Sequence, residues 1–247
     1  MSRINGSRIS TPTQPTSRRN RESVAALPVV VSDARKIYPA ADAPVRALDG
    51  VSLEVARGEM VALVGPSGCG KSTLLNLVGC VDLPTSGHVF VDGRDTAELD
   101  DDALTLLRRD RVGTIFQFFN LLPALSVEAN VALPLVLAGV PAAEIARRVG
   151  PALADVGLAD KARAYPAQIS GGQLQRAAVA RAMIHRPAVL LADEPTGNLD
   201  SLNGENVLRL LRALADGGQA ILMATHSADA AAVCDRTIRM HDGRIMP

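Results

Sequence analysis

The sequence predicts an α/β fold in which a mostly parallel sheet carries helices on its faces. Two observations lead there. The apolar strand Met60–Val64 runs into a glycine loop and then, from Thr73, into residues of helical character. From about residue 170 onward, helix-like and strand-like stretches alternate: Ser170–His185, Ala188–Ala192, Asn203–Ala215 and Ala220–Ala224. A third observation sets the domain plan. Residues of about 118–168 are Leu- and Ala-rich with helical spacing, which marks a helical insertion between the two alternating parts.

Residues 1–27 hold five Arg against one acid and are rich in Ser, Thr, Pro and Asn. That composition reads as a disordered, solvated tail; weak contact with anionic headgroups is the functional alternative. The tail leaves residues 28–247 with 21 basic and 25 acidic groups, so a formal net charge of 0 conceals an asymmetry. A balanced charge offers no general reason to expect nucleic-acid binding. Next come short strands separated by turns, Val29–Val31, Val51–Val55 and His88–Val91, with Pro84-Thr85-Ser86-Gly87 as a turn before the last. In the insertion, Ala142–Val149 and Pro151–Val156 read as amphipathic. Aromatic residues make up 2% of the chain, so the core must be aliphatic. No apolar leader opens the chain. The longest apolar run, Val131–Ala143, is short for a bilayer span and contains two prolines. A soluble chain is therefore expected. Cys69, Cys80 and Cys234 are widely spaced and lack a metal-ligand pattern, which suits reduced thiols.

The glycine loop reads Gly65-Pro66-Ser67-Gly68-Cys69-Gly70-Lys71-Ser72, followed by Thr73. This is a Walker A motif in the strand–loop–helix setting it requires. Its glycines let backbone amides converge on phosphate oxygens. Lys71 supplies a point charge for the β- and γ-phosphates, and the Ser72 hydroxyl is a ligand for Mg²⁺. Cys69 reads as a tolerated small residue. The apolar run Ala188–Ala192 ends in Asp193-Glu194. Asp193 suits the Mg²⁺ shell, and Glu194 is placed to orient and deprotonate an attacking water, a contribution of about 10²–10⁴-fold. ATP and Mg²⁺ are the expected cofactors.

A second glycine motif, Ser170-Gly171-Gly172-Gln173, precedes a helix and is, by itself, an ordinary helix cap. Beside the Walker motifs it resembles the signature of ATP-binding cassette (ABC) ATPases. Other landmarks stand in that family's order. Tyr38 resembles the adenine-stacking aromatic, Gln117 the Q-loop glutamine, Asn198-Leu199-Asp200 the D-loop and His226 the switch histidine. Each has a plainer reading too: a core or surface tyrosine, a strand-end amide, a helix cap at Asp200, a packed histidine.

The resemblance covers about residues 28–247. It implies a RecA-like P-loop core with an N-terminal antiparallel β subdomain and an inserted helical subdomain. It further implies ATP hydrolysis to ADP and phosphate by a head-to-tail homodimer. In such a dimer Ser170, Gly171, Gly172, Gln173 and Asp200 serve the partner's ATP, which explains two phosphate-binding helix starts with one lysine. Lys71, Gln117, Glu194 and His226 are then the catalytic set, and Ser72, Gln117 and Asp193 the metal ligands.

The stretches L-A-D-E-P-T-G-N-L-D-S and F-Q-F-F-N-L-L-P are similar to the LolD/MacB-like lipoprotein-release and macrolide-export group, and to FtsE. That implies a transmembrane permease partner and a peripheral place on the cytoplasmic face of the membrane. In an FtsE-like alternative, ATP drives mechanical signalling without cargo. Phe118–Leu125 is either the permease-docking run or filling for the helical subdomain. Two departures stand out: Ser227 where the group commonly has Asp, a change expected to loosen His226 without removing activity, and Ile169 where Leu is commoner.

Overall fold

In the computed structural model, which describes residues 27–40 and 43–246, the chain builds two sheets. The basic stretch 1–27 lies outside the described residues but for Leu27. The first sheet is antiparallel, in the order β2-β1-β4-β5, from β1 (Val29–Tyr38), β2 (Val45–Val55), β4 (Ser86–Val91) and β5 (Arg94–Asp95). The second has six strands in the order β10-β9-β3-β8-β7-β6. These are β3 (Met60–Val64), β6 (Val112–Ile115), β7 (Val189–Asp193), β8 (Ala220–Ala224), β9 (Arg236–His241) and β10 (Arg244–Ile245). All its pairings are parallel except that of β10 with β9.

The helices are α1 (Lys71–Val78), α2 (Asp101–Arg111), α3 (Val127–Leu137), α4 (Ala142–Asp155), α5 (Gly171–Met183), α6 (Ser201–Asp216) and α7 (Ala228–Ala232). Strands β3, β7 and β8 are continuous apolar runs because helices or the antiparallel sheet cover both faces; Ala220–Ala224 is buried throughout. On one face, Val61, Leu63, Leu191 and Leu222 pack with α1 and with the inner residues Val31, Leu53 and Val91 of the antiparallel sheet. On the other, Leu190, Ile221 and Met223 meet Val179 of α5 and Val207 and Leu211 of α6. A third cluster joins Val131 and Leu135 of α3 and Leu153 of α4 to Ala177 and Ala180 of α5. The core is aliphatic as expected: the largest fully buried side chains are Leu, Met and Ile. Each such side chain contributes about 1.5–3 kcal/mol.

Several elements extend the expectations. Strands β1 and β2 run longer than their most apolar segments. Ala142–Asp155 is one helix that takes Pro151 within it. Helix α2 was not expected, although its ends are signposted. Asp100 caps it, accepting from Ala103 N at 2.8 Å, Asp101 and Asp102 fill the first turn, and Arg108, Arg109 and Arg111 the last. The apolar run with two prolines supplies α3, with Pro134 inside, and then a turn at Gly139 (φ 72°). Among the described residues, no helix is long and apolar enough to cross a membrane.

Candidate functional site

In parallel sheets the loops at the carboxyl ends of the strands share one edge, and that edge is where ligands bind. Here the ends of β3, β7, β8 and β6 bring together four segments that lie far apart in sequence. An open cleft of about 470 Å³ is lined by Ser67, Gly68, Gly70, Lys71, Ser72, Thr73, Gln117, Asp193, Glu194 and His226.

The loop after β3 is shaped by its glycines. A Cβ on Gly65 would lie 2.2 Å from the Met240 carbonyl, and one on Gly70 2.5 Å from the Ala47 carbonyl. Gly68, at φ 79°, would meet nothing within 4 Å and faces open space. Two glycines therefore seat the loop against β9 and β2, and the third leaves the cleft clear. Helix α1 starts at Gly70, at φ 105°, without a side-chain cap; Asp100, Ser126, Ser170, Asp200 and Ser227 cap α2, α3, α5, α6 and α7. The first amides of α1 thus have no competing side-chain acceptor, which is the requirement for holding phosphate. The Lys71 ammonium is already folded into the loop, donating to the carbonyls of Gly65 (2.7 Å) and Pro66 (3.0 Å).

The Ser72 hydroxyl donates to Asp193 Oδ2 at 3.2 Å. Burial pushes the Asp193 carboxyl up; the Ser72 bond opposes this, the Glu194 charge adds to it and Lys71 opposes it. A half-buried carboxylate beside a hydroxyl and the Gln117 amide is a hard-oxygen donor set, and it fits Mg²⁺, which takes few protein ligands alongside water and phosphate. No cluster of three or more His, Cys, Asp or Glu among the described residues offers a competing metal site.

Glu194 has φ 48°, a left-handed backbone that costs a non-glycine residue about 1–3 kcal/mol. The bend is held by Glu194 N donating to the Ala224 carbonyl (2.9 Å) and by Gly197 N donating to the Glu194 carbonyl (3.0 Å). It turns the carboxylate toward β8, where Oε2 lies 2.9 Å from His226 Nδ1. The His226 side chain is 71% exposed, so it is not a packed histidine. Ser227 takes no part in holding it: its hydroxyl accepts from Ala230 N at 3.3 Å and caps α7. Ser and Asp are comparable caps, so the cap of α7 does not depend on the departure at this position.

Gln117 packs beside the segment after Glu194. A Cβ on Gly197 would fall 2.8 Å from its Nε2, and Asn198 Nδ2 donates to its carbonyl at 2.9 Å. Tyr38 is not in the cleft lining; it lies beyond Thr73, with its hydroxyl donating to Asp82 Oδ2 at 2.8 Å.

The second glycine motif stands apart from this cleft. Ser170 and Gln173 form a reciprocal capping box, Ser170 N donating to Gln173 Oε1 (2.9 Å) and Gln173 N to Ser170 Oγ (3.3 Å). The amides of Gly171 and Gly172 find no protein acceptor among the described residues. Asp200 is the cap of α6, accepting from Asn203 N (2.9 Å) and Nδ2 (2.7 Å). That Asn203 side chain lies against Gly172, where a Cβ would sit 2.1 Å from its Oδ1.

Three residues in this framework escaped the sequence reading. The Gln175 side chain, fully buried in α5, donates to the Pro195 carbonyl at 2.6 Å and reaches the Phe116 carbonyl at 3.4 Å. It ties the helix behind the signature to the segments after Glu194 and before Gln117. Arg181, also on α5, donates to the carbonyls of Asn120 (2.5 Å) and Phe119 (2.9 Å), two residues with φ of 50° and 62°. Asn130 secures the rest of that loop. A buried Gln or Asn behind an apolar stretch is the only local signal of such a role. Within Phe118–Leu125, Leu121 packs on the helical cluster, while Phe118 is 72% exposed and Leu122 is exposed.

The family profile described as ABC transporter matches residues 48–197. Over 216 residues, 87% of the chain, it is 49% identical to the macrolide export ATP-binding/permease protein MacB of Shigella flexneri and 48% identical to that of Escherichia coli K12. The chain spans a third of the length of those relatives. Among solved structures, the dimeric post-hydrolysis state of the ATP-binding cassette MJ0796 with ADP and Pi matches with a TM-score of 0.81 at 40% identity. That match covers 89% of this chain and 97% of the other. CbiO1 of Clostridium perfringens, part of the transporter complex cbiONQ, matches with a TM-score of 0.80 at 30% identity, covering 90% and 88%. The chain belongs to the ABC transporter family and is an ATP-binding cassette ATPase.

Proposed function

We propose that this ATPase cassette is the motor subunit of a MacB/LolD-like transporter, closing as a homodimer around two ATP and driving a separate transmembrane permease from the cytoplasmic face of the membrane. One observation carries the reading. Lys71, Ser72, Gln117, Asp193, Glu194 and His226 line one cleft, whereas the uncapped amides of Gly171 and Gly172 lie outside it. A phosphate-binding helix start with no phosphate site of its own calls for a second copy of the chain.

In this reading the amides of the glycine loop and Lys71 hold the triphosphate. Ser72, Asp193 and Gln117 hold Mg²⁺, which when bound neutralises charge on the phosphates. Glu194 accepts a proton from the attacking water, and His226 keeps the carboxylate aimed while its exposed edge faces the γ-phosphate. Ser170, Gly171 and Gly172 complete the partner's site, with Gln173 as their cap and Asp200 holding Asn203 against them. The permease sits in the open groove of about 720 Å³ beside Phe116, Leu122, Leu133 and Leu137, an apolar surface of the kind that marks docking sites.

The test is size-exclusion with light scattering on Glu194→Gln protein, with and without Mg-ATP. The expected result is an ATP-dependent shift from monomer to dimer, with turnover reduced about 10²–10⁴-fold. Undiminished turnover would remove Glu194 from its role. A protein that binds ATP yet stays monomeric at high concentration would count against the shared site.

A further inference from the structure

Tyr38 closes β1, and its hydroxyl end meets α1 and the turn that follows it. Its hydroxyl donates to Asp82 Oδ2 at 2.8 Å, and the Thr73 hydroxyl of α1 lies beside it. Lys36, two residues earlier on the same side of β1, bridges Asp82 Oδ1 (2.5 Å) and the Leu83 carbonyl (2.8 Å). The same ammonium stands 5.0 Å from the centroid of the Tyr38 ring, inside cation–π range. Asp82 is therefore shared between a cation and a phenol, and the Leu83 amide donates to it as well, at 2.7 Å. Burial opposes its ionisation, but Lys36, Tyr38 and the Leu83 amide together hold its carboxyl below the usual range. Two further bonds lace the strand to this turn: Ile37 N to Thr85 Oγ1 (3.0 Å) and Thr85 N to the Arg35 carbonyl (2.7 Å).

Nothing in the chemistry of phosphate holding or hydrolysis uses Lys36 or Asp82. What they do is immobilise an aromatic ring at the edge of the glycine-loop helix, with one side of the ring answered by an ammonium. We propose that Asp82, held by Lys36, is the positioning residue that presets Tyr38 as the platform for the nucleotide base. The inference rests on Tyr38 being the base-stacking residue. An aromatic platform contributes affinity only if its orientation is fixed before the base arrives, because an ordering cost would otherwise be deducted. A ring free to swing would lose part of its stacking contribution, and phosphate binding would be untouched.

That separation defines the experiment. Dissociation constants of Mg-ATP and of Mg-tripolyphosphate, which lacks base and ribose, are measured by calorimetry on the full chain and on Tyr38→Ala, Tyr38→Phe and Asp82→Ala. Tyr38→Ala is expected to weaken ATP about five-fold or more and to leave tripolyphosphate within about two-fold. Asp82→Ala is expected to show the same pattern with a smaller loss, and turnover at saturating ATP is unchanged. Tyr38→Phe keeps the ring and removes the hydroxyl that bonds Asp82 and meets Thr73. It should show the same selective loss of ATP affinity as Asp82→Ala, and the double variant should lose less than the sum of the two, since both delete the hydroxyl–carboxylate bond. It also carries the test alone if Asp82→Ala fails to fold. Normal ATP affinity in both Asp82→Ala and Tyr38→Phe, with a loss in Tyr38→Ala, would overturn the positioning role and keep the stack. Equal weakening of ATP and tripolyphosphate by Asp82→Ala would make Asp82 a structural brace and overturn it too. No effect of Tyr38→Ala on the ratio would remove the stack itself.

Discussion

Asn130 is the residue whose loss the structure prices most directly. It lies fully buried on α3, and its side chain holds the loop between Gln117 and that helix. Oδ1 accepts from Leu122 N at 2.7 Å, while Nδ2 donates to the carbonyls of Leu122 (3.1 Å), Leu125 (3.1 Å) and Ser126 (3.0 Å). Asn130→Ala deletes all four. The Ser126 carbonyl keeps its bond from Asn130 N at 2.9 Å and the Leu122 carbonyl its bond from Leu125 N at 3.1 Å, so two loop groups, the Leu122 amide and the Leu125 carbonyl, lose their partner without replacement. At about 1 kcal/mol net for each, the expected destabilisation is about 2 kcal/mol. Urea unfolding should show it as a lowered midpoint at unchanged slope, and hydrogen exchange should show an accelerated Leu122 amide. Mg-ATP affinity should stay near wild type, because Asn130 does not line the nucleotide cleft. Asn130→Asp is the sharper arm. It keeps the acceptor for Leu122 N but turns a carboxylate oxygen toward three carbonyls, so it should be at least as destabilising as Ala. A loss below about 1 kcal/mol in Asn130→Ala, or an Asp variant as stable as wild type, would refute the view that this side chain organises the loop.

Three other outcomes are expected. Burial raises the Asp193 pKa, so its ionisation is a cost to the folded nucleotide-free protein. That cost is absent below the unfolded pKa and grows as pH rises through the raised one. Asp193→Asn should therefore raise the melting temperature of the nucleotide-free protein at neutral pH while abolishing the Mg²⁺-dependent part of ATP binding; thermal melts with and without Mg-ATP check both. Burial also pushes the Cys80 and Cys234 thiols up to about 11, so iodoacetamide at neutral pH should leave both unlabelled in the folded protein, read by peptide mass mapping. Ser170→Arg fills the space before Gly171 with a cation and removes half of the capping box. It should stop turnover while ATP binding to the isolated monomer, followed by calorimetry, survives; loss of monomer binding would mean that this motif serves its own chain.

What could be read from the chain alone was whatever a short segment specifies by its own conformation. The glycine loop needs positive φ at Gly65, Gly68 and Gly70, an apolar strand before it and a helix after it, all within 19 residues, and no partner from elsewhere is required to recognise it. The alternation of strand and helix after residue 170 is equally local. Asp200 shows the limit: its residue type suits both a cap and a contact across a dimer, and the hydrogen bonds to Asn203 fix the first without touching the second. The tertiary structure alone decided which distant residues meet. Tyr38 and Asp82 stand 44 positions apart, Glu194 and His226 are joined only because β7 and β8 lie side by side, and Gln175 reaches Pro195 and Phe116 only because α5 packs across β6 and β7. The backbone bend at Glu194, which aims the carboxylate, likewise comes from the Ala224 carbonyl on the neighbouring strand. Periodicity encodes which face of an element is buried. It does not encode which polar side chain ends within 3 Å of another, since that depends on how whole elements are stacked and registered.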